Sequence, residues 1–243
     1  MNIIGIIPAR SRSKRLPGKM LLKIKGRTLI EHVYRNALRS KRIKKLYVAT
    51  DSSAIRKAIE SAGGRVIMTP ASCGSGTERV KEAVKTLRAN INDIIVNIQG
   101  DEPLLEPALI DRAVNALLKD KQYDAATLAC PIKDPKEIKD PDVVKVIVGR
   151  DSQAVYFSRA PVPFNRDGKK INGAYLKHIG LYVYRKEVID KWKRLGSVYE
   201  NIEKLEQLRI IENGYRMKVI TGKSRSIGVD TEKDLRKVKK LIT

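Results

Sequence analysis

Several things that define whole classes of protein are scarce in this chain. It has two cysteines, Cys73 and Cys130, in 243 residues. That is too few for a disulfide framework, and their spacing is not that of metal ligands; two ordinary free thiols are expected. Aromatic residues make up 5% of the chain, which offers few platforms for stacking nucleic-acid bases. Apolar runs are short. The one in Asp93-Ile-Ile-Val-Asn-Ile falls far below the roughly 20 residues that cross a bilayer, so no membrane span is expected. Residues 1–8 show neither a basic leader nor a small-residue cleavage site, and the reading is a cytoplasmic protein. A Cys-x-x-Cys finger, a helix-turn-helix cue, internal repeats and low-complexity linkers are all missing.

Acidic residues are also few, 27 against 50 Lys and Arg, which gives a net charge of +23. A polyanionic partner is therefore implied, and nucleic acid is the first class to weigh. The distribution favours something smaller. Residues 1–60 hold 16 basic and 3 acidic residues, many around one Gly/Pro-containing loop, and a focused basic pocket suits a small polyphosphate. Scarce Cys and Met beside abundant Lys, Arg and Glu also follows the trend of heat-adapted proteins. The length fits one domain, or one domain with a modest insertion.

The pattern along the chain is regular alternation. Residues 3–8 form an apolar run closed by Pro8, too short for a helix and read as a buried strand. The apolar positions of 29–38 recur at helical spacing, and 45–50 reads as the next strand, completing a β-α-β unit. Helices follow at 53–62, 77–88 and 107–118, alternating with strands at 65–68 and 93–99. This predicts an α/β fold with a mainly parallel, doubly wound sheet covered by helices on both faces. From residue 125 the pattern changes to strand-like runs at 125–130, 143–148, 154–158 and 180–185, read as a small antiparallel insertion over about 125–200. The polar, glycine-punctuated segment 165–173 reads as a mobile loop or hairpin tip. Helices return at 201–213 and 231–241. The whole chain, 1–243, is thus expected to be one domain with an insertion. Ligands of such sheets bind beyond the carboxyl ends of parallel strands, which singles out the loops after Ile7, after 66–68 and after Ile98.

The loop after the first strand reads Pro8-Ala9-Arg10-Ser11-Arg12-Ser13-Lys14-Arg15-Leu16-Pro17-Gly18-Lys19. Its guanidinium forks and lysines suit a triphosphate, although the spacing is not that of a P-loop, and a merely solvated basic loop is an even alternative. Gln99-Gly100-Asp101-Glu102-Pro103 follows the strand 94–98, a place where a carboxylate commonly holds magnesium carrying nucleotide phosphates. Asp230, in Gly228-Val229-Asp230-Thr231, is a plausible second metal carboxylate, while Thr231 and Asp234 are spaced as a capping box. Gly74-Ser75-Gly76-Thr77-Glu78-Arg79 leads into a helix, where its donors suit a base edge or a phosphate and where Ser75 and Glu78 also suit a cap. His32 reads as packing or surface, and His178 in its strand as a satisfied histidine.

In this order the motifs resemble the 3-deoxy-manno-octulosonate cytidylyltransferases, or CMP-Kdo synthetases. The resemblance rests on Ile7-Pro8-Ala9-Arg10 with Arg15-Leu16-Pro17-Gly18-Lys19, Ala49-Thr50-Asp51, Ser75-Gly76-Thr77-Glu78-Arg79 and Asn97-Ile98-Gln99-Gly100-Asp101-Glu102-Pro103. It continues through Tyr156-Phe157-Ser158-Arg159, His178-Ile179-Gly180-Leu181-Tyr182, Leu205-Glu206-Gln207-Leu208-Arg209 and Gly228-Val229-Asp230-Thr231. It implies transfer of CMP from CTP to the anomeric hydroxyl of a sugar acid with release of pyrophosphate, a step that activates the sugar for lipopolysaccharide or a related surface glycan. It also implies that Ala9, Arg10, Arg15, Lys19, Ser75, Gly76, Thr77, Arg79 and Gly100 bind CTP, the Ser75–Arg79 stretch reading cytosine. Asp101 and Asp230 would hold Mg2+, and with Lys19 they would form the catalytic group. Gln99, Arg159, His178, Tyr182, Glu206 and Gln207 would line the sugar-acid pocket. A homodimer is implied as well. An amino-substituted octulosonate or a nonulosonic acid as acceptor, a different nucleoside triphosphate, and a nucleic-acid-binding protein are the readings left open beside it.

Overall fold

The computed structural model describes residues 1–10, 15–168 and 173–242. The first half runs β1 (Ile3–Ala9), a 3-10 turn (Lys19–Leu21), β2 (Lys23–Ile24), β3 (Arg27–Thr28), α1 (Leu29–Ala37), β4 (Lys45–Thr50) and α2 (Ser53–Ser61). It continues with β5 (Val66–Met68), α3 (Gly76–Thr86), β6 (Ile94–Ile98) and α4 (Pro107–Lys119). The second half holds β7 (Ala125–Pro131), α5 (Pro135–Lys139), β8 (Lys145–Val148), β9 (Ala154–Ser158), β10 (Leu176–Arg185) and α6 (Lys186–Lys191). It ends with α7 (Val198–Glu203), α8 (Leu208–Glu212), β11 (Met217–Thr221) and α9 (Glu232–Leu241).

Every residue of β1 is buried, because this strand is paired in parallel on both sides, with β4 and β6. Among the described residues the main sheet has the order β11-β7-β10-β6-β1-β4-β5. All neighbours run parallel except β10, which is antiparallel to both β6 and β7. The period of two along β1 sends Ile3 and Ile7 to one face and Ile4 and Ile6 to the other. The first face is covered by α1, α2 and α4, through Val33, Ile59 and Val114 among others. The second is covered by α3, α6 and α8, through Val80, Ile189 and Ile210. This is the doubly wound α/β architecture expected from the alternation.

Several details differ from the sequence reading. The strand expected at 125–130 as part of an antiparallel insertion is β7, which lies inside the main sheet and runs parallel to β11. The antiparallel branch consists of β8 and β9 together with the first residues of β10. The helix expected over 201–213 is two short helices, because Lys204 sits at φ 55° and ends α7 in the left-handed region. Of the loop 165–173, residues 169–172 lie outside the described residues. The β2–β3 hairpin and β11 were not anticipated. The hairpin matters: Ile24 and Leu29 pack with Leu16 against Val229, Leu235 and Val238, which carries Asp230, just before α9, to the carboxyl end of β1.

Candidate active site

The three loops beyond β1, β5 and β6 meet in one cleft of about 310 Å3. It is lined by Arg10, Arg15 and Lys19 from the first loop, by Ser75, Gly76 and Arg79 at the start of α3, and by Gln99, Gly100 and Asp101 after β6. Glu206 and Asp230 complete it, with Pro8, Met20, Cys73 and Gly74. Gly100 is required by close approach: a Cβ there would lie 3.0 Å from the Pro8 carbonyl oxygen and 3.2 Å from Met20 Cε. Gly18 turns the chain into Lys19 at φ 66°, a conformation costly for other residues.

At the centre is Lys19, whose side chain is 9% exposed. Its Nζ donates to Asp101 Oδ2 at 2.6 Å, to Asp230 Oδ1 at 2.9 Å and to the Val229 carbonyl at 3.1 Å. Burial pulls the Lys19 pKa down, and the charges and hydrogen bonds of Asp101 and Asp230 more than offset it, leaving it above its ordinary value. Asp230 is held a second time, by Arg15 at 2.8 Å, and Arg15 also reaches Asp142 at 3.0 Å. A backbone bond from the Val229 N–H to the Asp101 carbonyl fixes the two acidic segments to each other. Two carboxylates 129 residues apart in sequence therefore converge on one cationic point with a carbonyl beside it. That all-oxygen donor set suits a magnesium ion, which takes one or two carboxylates and completes its shell with substrate phosphates and water. No group of three or more His, Cys, Asp or Glu that could cage a metal occurs among the described residues, so a dedicated all-protein site is not the arrangement found.

Behind Asp101, the Glu102 carboxyl accepts from Ser226 Oγ at 2.7 Å and from the Gly180 N–H at 3.0 Å. Burial pushes its pKa up to about 7 against those hydrogen bonds. At the other end of the cleft Arg79 is 3% exposed; it donates to Thr69 Oγ1 at 2.6 Å and pairs with Asp51 at 3.3 Å. Ser75 caps α3 by accepting from the Glu78 N–H. The reciprocal half of the box is missing, because Glu78 accepts from the Gly74 N–H instead. Glu206 closes the same helix end, accepting from Ser75 Oγ and the N–H groups of Gly76 and Thr77.

Several candidates stand one layer away from the cleft. Ala9 and Thr77 are buried beneath it. Gln207 is 2% exposed, and its Oε1 accepts from the Tyr182 hydroxyl at 3.0 Å. The Tyr182 ring lies 5.3 Å from that of His178, so these three residues form a chain leading away from Glu206. Arg159 is anchored by the Glu203 and Pro141 carbonyls, with Asp142 3.9 Å from its guanidinium. Arg12 and Lys14, counted among the loop cations, lie outside the described residues. His32 Nε2 donates to the Ile24 carbonyl, in keeping with a packing role, and both cysteines are free. Asp142, Thr69, Ser226 and Thr127 were not singled out from sequence, and Asp51 was quoted only within a motif, with no role. Each acts by holding another side chain, and neither pattern nor spacing signals that.

A doubly wound sheet with a basic cleft at its carboxyl ends, and two carboxylates converging there, defines an α/β enzyme of the nucleotidyltransferase class. The chain belongs to the cytidylyltransferase family, whose model matches residues 4–223. It is 45% identical to a 3-deoxy-manno-octulosonate cytidylyltransferase of Solibacter usitatus, over 98% of this chain and 94% of that protein. It is 42% identical to an 8-amino-3,8-dideoxy-manno-octulosonate cytidylyltransferase of Shewanella pealeana, over 97% and 96%. A solved CMP:2-keto-3-deoxy-manno-octonic acid synthetase complexed with CTP superposes with a TM-score of 0.92 at 37% identity, covering 100% of this chain and 98% of that one.

Proposed function

We propose that this cytidylyltransferase transfers CMP from CTP to the anomeric hydroxyl of 3-deoxy-manno-octulosonate, releasing pyrophosphate and giving an activated sugar for lipopolysaccharide or a related surface glycan. The observation that carries this reading is the convergence of Asp101 and Asp230 on Lys19 at the centre of a basic cleft. The relatives supply the substrates by likeness.

The acceptor oxygen must attack an α-phosphate that already carries negative charge, so positioning and charge neutralisation do most of the work. Arg10, Arg15 and Lys19 bring cations to the triphosphate, and the buried, ion-paired Arg79 presents a fixed fork where the Ser75–Arg79 stretch would read cytosine. Mg2+, when bound by Asp101 and Asp230, supplies positive charge at the reacting phosphate and lowers the pKa of the attacking hydroxyl. Gln99 and Glu206 line the cleft with Gly100 where an acceptor would enter, with Gln207, Tyr182 and His178 behind them. Arg159, on the far side of Asp142, is the cation suited to the sugar-acid carboxylate. The segment 125–200 contributes Arg159, His178 and Tyr182 to the acceptor side, within a chain acting as one unit in the cytoplasm, where nucleoside triphosphates are made. No helix among the described residues is long and apolar enough to cross a membrane.

The deciding experiment is pyrophosphate release with each of four nucleoside triphosphates, Mg2+ and a panel of 2-keto-3-deoxy sugar acids. Release with CTP and 3-deoxy-manno-octulosonate alone bears the reading out. Preference for the 8-amino acid, the second reading favoured by the Shewanella relative, moves the acceptor and keeps the mechanism. Silence from folded protein overturns both.

A homodimer is part of the same proposal. Val198, Tyr199 and Ile202 of α7 are exposed, Ile202 by 71%, and none of that helix is buried; Val155 of β9 is exposed in the same way. Ile202→Glu is expected to shift the protein from dimer to monomer in light scattering, and an unchanged mass would remove α7 from the interface.

A further inference from the structure

We infer that His178 serves as a neutral hydrogen-bond acceptor through Nδ1, taking a hydroxyl or amine donor of the sugar acid, and that Thr127 is the positioning residue that fixes the ring in that form. The inference deepens the acceptor-pocket reading above and rests on it.

The polarity follows from one proton. Thr127 lies on β7 and is fully buried. Its hydroxyl is 2.7 Å from the Leu181 carbonyl oxygen and 2.9 Å from His178 Nε2. A carbonyl can only accept, so the single hydroxyl proton goes to Leu181. The Thr127 oxygen is then left to accept, and the imidazole must donate from Nε2. A neutral imidazole with its proton on Nε2 carries a lone pair on Nδ1.

The local fold makes this arrangement. The β10–β7 register shifts between Ile179 and Tyr182, and within that irregularity the Leu181 carbonyl takes its bond from the Thr127 side chain. The His178 ring is walled by Phe157, edge-on at 5.1 Å, and by Tyr182 at 5.3 Å. No carboxylate pairs with it among the described residues, and burial pushes its pKa down to about 3. The ring is therefore uncharged at neutral pH. Nδ1 has no partner among the described residues, and it is not among the enclosed polar atoms, which include Gln207 Nε2. The residue is half-buried, and Nδ1 is therefore reached by solvent and not sealed in the core.

The consequence concerns what the pocket reads. A lone pair on Nδ1 repels a carboxylate, so His178 takes no part in holding the acid group, which falls to Arg159. It selects instead for a donor. Gln207 Nε2, buried and without a partner, is the complementary donor at the other end of the His178–Tyr182–Gln207 chain.

The test is nitrogen NMR on the 15N-labelled protein, with its two histidines resolved by a His32→Gln variant. In the ligand-free protein His178 should show a protonated Nε2 and a bare Nδ1. Thr127→Val should lose that pattern and Thr127→Ser should keep it. Adding 3-deoxy-manno-octulosonate should move the Nδ1 resonance. In turnover, Thr127→Val should raise the acceptor KM about tenfold, the loss of one hydrogen bond, with the CTP KM unchanged, and Thr127→Ser should restore it. A charged ring, or a proton on Nδ1, overturns the inference. So does an Nδ1 resonance unmoved by a sugar acid that the enzyme turns over, which leaves the acceptor pocket standing. If no sugar acid is turned over, the pocket reading and the inference fall together.

Discussion

Lys19 occupies the point where two carboxylates would otherwise face each other, and its removal should separate binding from turnover. With Lys19→Met the carboxylate pair gains a full unit of negative charge nearby, worth tenfold or more in affinity for a divalent cation at an effective dielectric of about 20. The variant is therefore expected to bind Mn2+ about tenfold more tightly in the absence of nucleotide, read by electron paramagnetic resonance. Turnover should fall by about 10^2 to 10^3 through loss of charge stabilisation at the phosphates. Unchanged Mn2+ affinity would detach Asp101 and Asp230 from the metal role. A second residue-scale effect is in pH. The folded His178 pKa is about 3 and the unfolded value about 6.5, so below 6.5 the unfolded chain binds the extra proton and stability falls as pH drops through that window. Glu102 acts oppositely. Its folded pKa of about 7 exceeds the unfolded value of about 4.3, so between those values the folded state binds the extra proton and stability rises as pH drops. His178→Gln removes the first contribution and leaves the second. Urea unfolding at pH 7 and 5 should show the variant gaining on the parent toward pH 5, by on the order of 2 kcal/mol; parallel curves would contradict the burial of a neutral His178.

At the level of elements, what was legible was whatever repeats. The strands at 45–50 and 154–158 appear with the expected bounds, because a buried strand between polar turns leaves a plain apolar run. The Thr231–Asp234 capping box forms as its spacing indicates. The three loops at the carboxyl ends of strands do build the cleft, since parallel topology dictates where loops meet. Direction was not legible in β7: Ala125-Ala-Thr-Leu-Ala-Cys is apolar whichever way its neighbours run, and its parallel partner β11 lies some ninety residues later. The site shows the same division. Residues that carry charge into the cleft announce themselves by type and position, whereas Thr127, Thr69 and Asp142 matter only through partners that folding brings to them. The break between α7 and α8 was hidden for a related reason. Leu205, Leu208 and Ile210 are all buried and continue a helical period across Lys204, whose left-handed backbone is the one interruption. A non-glycine residue there costs about 1 kcal/mol, so Lys204→Gly is expected to raise Tm by about 2 °C, taking 1 kcal/mol as about 2–4 °C in a chain of this size less the extra chain entropy of glycine. A calorimetric decrease of that size would show that the strain is relieved elsewhere.

On the scale of the whole molecule, the charge of +23 and the cleft are different things. The β2–β3 hairpin, with exposed Lys23, Lys25 and Arg27, packs through Ile24 against α9. That helix exposes Lys233, Arg236, Lys237, Lys239 and Lys240. This surface is a broad cationic patch. Two of the cleft cations are of another kind, since Lys19 and Arg79 are buried and already paired with Asp101, Asp230 and Asp51, whereas Arg10 and Arg15 stand exposed at its rim. Salt screens exposed charges beyond about 8–10 Å and buried pairs much less. Two salt dependences should therefore separate in one protein. Retention on a DNA column should be independent of sequence, strong at 50 mM salt and lost by about 0.3 M, with a steep logarithmic slope. Pyrophosphate release with saturating CTP and acceptor should change by no more than about twofold over that range, because saturation removes the screened contribution of the exposed Arg10 and Arg15 to binding, while Lys19, central to the reacting group, is buried. Lys237→Glu with Lys240→Glu should weaken DNA retention and leave turnover as it was. Should turnover instead fall with salt along the same slope as retention, the exposed patch would be part of the substrate path, and the small basic pocket would lose its claim to be the seat of the reaction.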